Sequence, residues 1–205
     1  LAPKVTIAGQ EYSTAETELD LSGQDLTDAD LVSLGQMENL VSLNLEGNSQ
    51  ISDLSPLGNL TKLQSLELPC PSEISDLSPL SGLTELAALR MVGNWNNSAP
   101  ANLVKDFSPL SNLTSLTDLE LVVTGLEDLS FASGLTNLRV LRLMGTVTAE
   151  DLTALSGLTN LTELEVHTSG TKTAAGIEGL VNLQSLKIMD ESQSLYQDDL
   201  TCLSG

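Results

Sequence analysis

Catalysis needs titratable or nucleophilic side chains that converge on one point, and this chain offers few of them. It has one histidine, His167, and the repeat spacing brings no cysteine or serine to it as a nucleophile pair. Gly170-Thr-Lys-Thr173 has the tail of a phosphate-binding loop, but such a loop needs glycine at position 165, where Glu165 stands. Asp53, Asp76, Asp106 and Asp128 recur at one place in successive segments. A calcium cage needs several oxygens within one loop, whereas one acid per segment suits the capping of short turns. These residues therefore read as a non-enzyme with no cofactor and no metal site.

Charge narrows the partners. The 205 residues hold 28 acidic and 8 basic side chains, a net charge of −20. Nucleic acid and anionic membrane both select clustered Lys and Arg, so both are disfavoured. A basic partner or some divalent cation is allowed. No stretch is long and apolar enough to span a bilayer. The chain opens at Leu1-Ala2-Pro3 rather than Met, which is expected of a mature fragment whose signal or anchor has been removed.

The element that must position everything else is Leu40-Val-Ser-Leu-Asn-Leu-Glu-Gly-Asn48. Its Leu-x-Leu core returns at Leu19/Leu21, Leu43/Leu45, Leu66/Leu68, Leu89/Met91, Leu119/Leu121, Leu141/Leu143, Leu164/Val166 and Leu186/Ile188. Successive copies lie 24, 23, 23, 30, 22, 23 and 22 residues apart. A period in the twenties with this pattern identifies leucine-rich repeats. The composition agrees, with 40% hydrophobic but only 2% aromatic residues, because stacked Leu slots fill a core without large rings. The expected fold is a right-handed α/β solenoid, with a curved parallel sheet on the concave face and 3-10 turns and short helices on the convex face. Residues 1–18 are expected to form a strand-and-turn cap, and residues 19–205 about eight repeats, the last incomplete. Cys70 and Cys202 would then lie five rungs apart, roughly 24 Å, too far for a disulfide.

Strand centres are expected at Asp20, Asn44, Glu67, Arg90, Glu120, Arg142, Glu165 and Lys187. Convex helices are expected at 28–35, opened by a capping box at Thr27-Asp-Ala-Asp30, and at 149–156 and 172–178. The Ser-Pro segments of repeats two to four limit those repeats to 3-10 turns. Asparagine ends the strand only at Asn48 and Asn94, with Gln24, Pro71, Thr124, Thr146, Ser169 and Glu191 elsewhere. Hydroxyls and water are expected to replace part of the missing asparagine ladder.

Strand alternation turns the residues between and beside the paired leucines outward. One outward column alternates in sign from Glu67 through Arg90, Glu120, Arg142 and Glu165 to Lys187, a self-neutralising ladder. The next column, Pro69, Val92, Val122, Met144, His167 and Met189, is nearly apolar. It reads either as an interface stripe or as a row that loops bury. The insertion Asn94-Trp-Asn-Asn-Ser-Ala-Pro100 holds the sole tryptophan. Trp95 could cover the stripe, extend it as a binding anchor, or staple its own loop.

Ile51-Ser-Asp-Leu-Ser-Pro-Leu57, Ile74-Ser-Asp-Leu-Ser-Pro-Leu80 and Leu54-Ser-Pro-Leu-Gly-Asn-Leu-Thr-Lys-Leu63 resemble the 22-residue repeat of bacterial internalin-type proteins. The resemblance covers residues 19–205. It implies a surface or secreted protein of a Gram-positive-type bacterium whose concave face grips a partner protein. The outward columns and the insertion make Arg90, Val92, Trp95, Glu120, Val122, Arg142, Met144, Glu165, His167 and Met189 the expected partner-binding residues. The rival reading is a spacer or scaffold arm whose binding or catalytic domain lies elsewhere. Neither a long helical N-terminal cap nor an immunoglobulin-like C-terminal domain is legible in these residues, and the natural protein is expected to continue beyond them or to leave its last rung without cover. Because Leu203-Ser-Gly205 stops in mid-repeat, the C-terminal edge is expected to fray or to support a weak dimer of an otherwise monomeric chain.

Overall fold

The computed structural model describes residues 2–70, 73–93 and 103–190. A hairpin of β1 (Lys4–Ile7) and β2 (Gln10–Ser13) comes first, antiparallel, with Val5 and Ile7 buried. The solenoid strands follow as β3 (Glu18–Asp20), β4 (Ser42–Asn44), β5 (Ser65–Glu67), β6 (Ala88–Met91), β7 (Asp118–Leu126), β8 (Val140–Val147), β9 (Glu163–Thr168) and β10 (Ser185–Asp190). They form one eight-stranded sheet in sequence order, and every pair is parallel. Leu19, Leu43, Leu66, Leu89, Leu119, Leu141, Leu164 and Leu186 are register partners along it. This is the expected register.

Each repeat returns through a short turn whose leucines complete the core. Ser55–Asn59, Ser78–Gly82 and Ser108–Asn112 are 3-10 turns with proline in their first two positions, where a missing N–H costs nothing. One α-helix, α1 (Asp28–Leu34), stands among the described residues. The Asp30 carboxylate accepts the Thr27 N–H at 2.9 Å and the Ala8 N–H at 3.2 Å. One side chain thus ties the start of α1 to the hairpin.

The helices expected at 149–156 and 172–178 do not form. The first segment keeps only a 3-10 turn at Thr153–Leu155, and the second has none. Their backbone donors are committed between rungs, Leu152 N–H to the Ala175 carbonyl at 3.0 Å and Lys172 N–H to the Glu150 carbonyl at 2.9 Å. Gly176 makes the close approach possible. Its φ is +104°, and a Cβ there would meet the Leu152 oxygen at 2.4 Å.

One asparagine closes the turn between β3 and β4. Asn48 is fully buried. Its Oδ1 accepts the N–H groups of Gln24 (3.1 Å) and Leu26 (2.9 Å), and its Nδ2 donates to the carbonyls of Leu21 (2.9 Å) and Leu45 (2.8 Å). That satisfies the turn, and β3 and β4 stop after three residues. Thr124 and Thr146 stand where a repeat of this kind would carry asparagine. The strands run on instead, pairing Val122 with Met144, Val123 with Gly145 and Thr124 with Thr146. The backbone groups that an asparagine would have satisfied enter the sheet ladder, helped by β-branched Val122, Val123, Thr124 and Val147. Asn94 lies outside the described residues.

A second asparagine ladder was not legible from the repeat pattern alone. Asn39, Asn137, Asn160 and Asn182 each precede the first leucine of a rung, and each Nδ2 donates to a carbonyl of the rung before. The acceptors are Thr14 at 3.1 Å and Thr114, Thr136 and Thr159 at 2.8 Å each.

Candidate functional site: the concave face

Residues 20, 44, 67, 90, 120, 142, 165 and 187 face outward in one register row, and over β5 to β10 their charges are paired. Arg90 lies 3.6 Å from Glu67 and 3.5 Å from Glu120. Arg142 Nη1 donates to Glu120 at 3.1 Å, while its Nη2 and Nε take Glu163 at 2.6 and 2.9 Å. Glu165 accepts Lys187 Nζ at 2.6 Å and lies 2.9 Å from His167 Nε2. The ladder differs from the expected one at a single rung, where Arg142 takes Glu163 instead of its register partner Glu165. The bond to Glu163, ahead of the Glu120 charge, raises the Arg142 pKa against its burial. Burial alone would raise the Glu165 carboxyl, but the bonds from Lys187 and His167 outweigh it and hold the group low. Both residues stay charged at neutral pH.

The neighbouring column requires a correction. It is not an exposed apolar stripe. Pro69 is buried, Val92 is 9% exposed, Val122 1% and His167 6%, while Met144 is half-buried. Met189 alone of the row counts as exposed, at 40%. Strand alternation sets which way a side chain points but not what lies over it. Trp95 falls outside the described residues.

The repeated acids cap turns. Asp53, Asp76, Asp106 and Asp128 each accept the N–H of the serine two residues on, at 2.7–2.8 Å. Asp151, which lacks the Ser-Pro context, does the same for Thr153 at 2.9 Å. Among the described residues, no three His, Cys, Asp or Glu side chains converge as a metal site, and no helix is long and apolar enough to cross a membrane. Cys70 is a buried free thiol that burial pushes up to about 11, which keeps it protonated and inert at neutral pH. Cys202 lies outside the described residues.

A family model of leucine-rich repeats, two copies, matches residues 17–59. Among curated protein sequences none matches this one. Internalin C2 from Listeria monocytogenes is 26% identical with a TM-score of 0.73, over 91% of this chain and 83% of that one. The chain is a leucine-rich-repeat solenoid similar in fold to that internalin. Two more distant structures share its fold. An internalin, inlF, of the same species is 20% identical, with a TM-score of 0.55 over 96% of this chain and 81% of that one. The ectodomain of the Arabidopsis receptor kinase HAESA, solved with a peptide hormone ligand, is 21% identical, with a TM-score of 0.62 over 87% of this chain and 31% of that one. The leucine-rich-repeat frame accounts for the parallel sheet and the short return turns. Leucine-rich repeats of this kind are protein-interaction modules.

Proposed function

We propose that this solenoid is a non-enzymatic module that binds a partner protein through the concave face of β6 to β10, on the outside of a bacterial cell. The observation that carries the reading is the pre-paired ladder from Glu67 to Lys187. Charges that already satisfy one another can be covered by a partner without being left unpaired, which is the main penalty for burying ions. Arg90 and Lys187 keep about half their side-chain surface open, and Met144 and Met189 supply adaptable apolar contact beside them. Glu120, Glu165 and His167 form the floor; Val92 and Val122 support it from beneath the surface. The HAESA complex supports the reading to the extent that a solenoid of this fold holds a peptide. The extracellular placement rests on the internalin resemblance.

The test compares wild type with Met144→Asp/Met189→Asp, and separately with Arg90→Glu, in capture from envelope and host-surface extracts. Val122 is too buried for this purpose, because an aspartate there would unfold the rung. Each variant is first checked for an unchanged urea midpoint. Loss of one specific partner from both folded variants is the expected result. Equal recovery of every partner by all three proteins would remove the concave face from consideration and favour a spacer arm.

A further inference from the structure

A lateral trench of about 640 Å³ runs beside the entry to strands β7 to β10, where the chain turns into the sheet. One wall is the row Ser115, Asn137, Asn160 and Asn182; the other is Thr117, Arg139, Thr162 and Gln184. Backbone bonds from Arg139 to Thr117, Thr162 to Arg139 and Gln184 to Thr162, at 2.8–2.9 Å, set the second row one residue per rung. With rungs about 4.8 Å apart, four of them span about 14 Å.

The two rows are lined by amides, hydroxyls and one guanidinium. The clips from Asn137, Asn160 and Asn182 to the preceding rung are all 2.8 Å long. Each clip fixes its amide, so the three Oδ1 atoms repeat one orientation, and among the described residues none of them accepts a hydrogen bond. Arg139 is exposed, and its guanidinium has no partner among the described residues. Although the chain holds 28 acids, no carboxylate lines the trench, and no aliphatic or aromatic side chain does either.

That lining excludes the usual occupants. A protein interface centres on apolar and aromatic side chains, and nucleic acid needs several clustered cations where this trench has one. The complement of fixed acceptors, hydroxyls and a single guanidinium is an extended ligand with hydroxyls at every step and an acid group along it. A sugar ring advances by roughly one rung. We propose that the trench binds a strand of acidic polysaccharide, the amide row holding ring hydroxyls and Arg139 a carboxylate. With no aromatic platform for the rings, affinity is on the order of millimolar for a short oligomer.

The experiment is an amide-resolved NMR titration of the whole chain with tetragalacturonate, and with maltotetraose as its uncharged counterpart. Side-chain amide signals of Asn137, Asn160, Asn182 and Gln184 are expected to move with both, and at lower concentration with tetragalacturonate. Arg139→Gln, at an exposed and unpaired position that leaves the fold intact, should weaken the acidic oligomer by about tenfold, the scale of one charge-assisted hydrogen bond. Binding of maltotetraose should be unaffected by that change. Still signals with both sugars would overturn the proposal, as would an acid preference that survives Arg139→Gln. Concentration-dependent line broadening in the absence of sugar, abolished by Arg139→Gln, would assign the trench to self-association instead and likewise refute it.

Discussion

Arg142 pairs with Glu163, two residues short of its register partner Glu165 on the same strand. The guanidinium is a fixed fork, and here one arm reaches back across β7 to Glu120 while Nε and Nη2 close on Glu163. Glu165 is left to Lys187 and His167. A double-mutant cycle on Arg142→Ala and Glu163→Ala should return a coupling of about 1 kcal/mol, modest because both side chains are partly solvated. The cycle with Glu165→Ala should return a coupling near zero. A larger coupling to Glu165 than to Glu163 would show that the register pair dominates in solution.

Asn48 is the costliest polar side chain to remove. It makes four short bonds while fully buried, so Asn48→Ala removes the side-chain partner of two backbone N–H groups and of the Leu21 carbonyl, and leaves the Leu45 carbonyl only the residue 48 N–H at 3.4 Å. We expect a loss of about 2–4 kcal/mol in urea unfolding. A loss below about 1 would mean that water replaces the amide readily.

The core prediction is direct. Leu119 is fully buried in the middle of the sheet, and Leu119→Ala should cost about 2–5 kcal/mol by the same measurement. A smaller loss would place that leucine at a site able to collapse around the cavity.

Acid should act on the capping aspartates. Bonds from the Ser or Thr two residues on hold Asp53, Asp106, Asp128 and Asp151 below the usual 3.8. A lowered folded-state pKa contributes stability that is present above 3.8 and lost as pH falls through the folded value. Meanwhile, titrating the net −20 relieves self-repulsion on the way down from neutrality. The melting temperature should change little from pH 7 to about 5.5, rise as glutamates protonate toward about pH 4.3, and fall below that as the capping aspartates titrate. A Tm that keeps rising below pH 3.8 would show the caps to be energetically silent.

The sheet should loosen from its last strand. Leu186 and Ile188 of β10 are half-buried, whereas Leu164 and Val166 of β9 are fully covered. Hydrogen exchange should therefore be faster at 185–190 than at 163–168. Equal protection of the two strands in dilute monomer would show that β10 is covered as well as its neighbour.

The sequence by itself determined the repeat, the strand register, the charge column and the turn caps, because each is set by local periodicity and by bonds spanning a few residues. Leu119 and Leu141 had to be stacked core residues once the Leu-x-Leu period was seen. Ser55–Asn59 had to be a tight turn once proline stood in it. Tertiary structure decided what happens between rungs. Whether Thr124 ends a strand or extends it depends on whether the next rung offers Thr146 a ladder to join. Whether residues 172–178 coil depends on the Glu150 and Leu152 backbone lying alongside. The choice of Glu163 by Arg142 and the alignment of the Asn137, Asn160 and Asn182 amides share the same cause. Each is fixed by atoms more than twenty residues away, and the repeat brings those atoms near without specifying which bond they make.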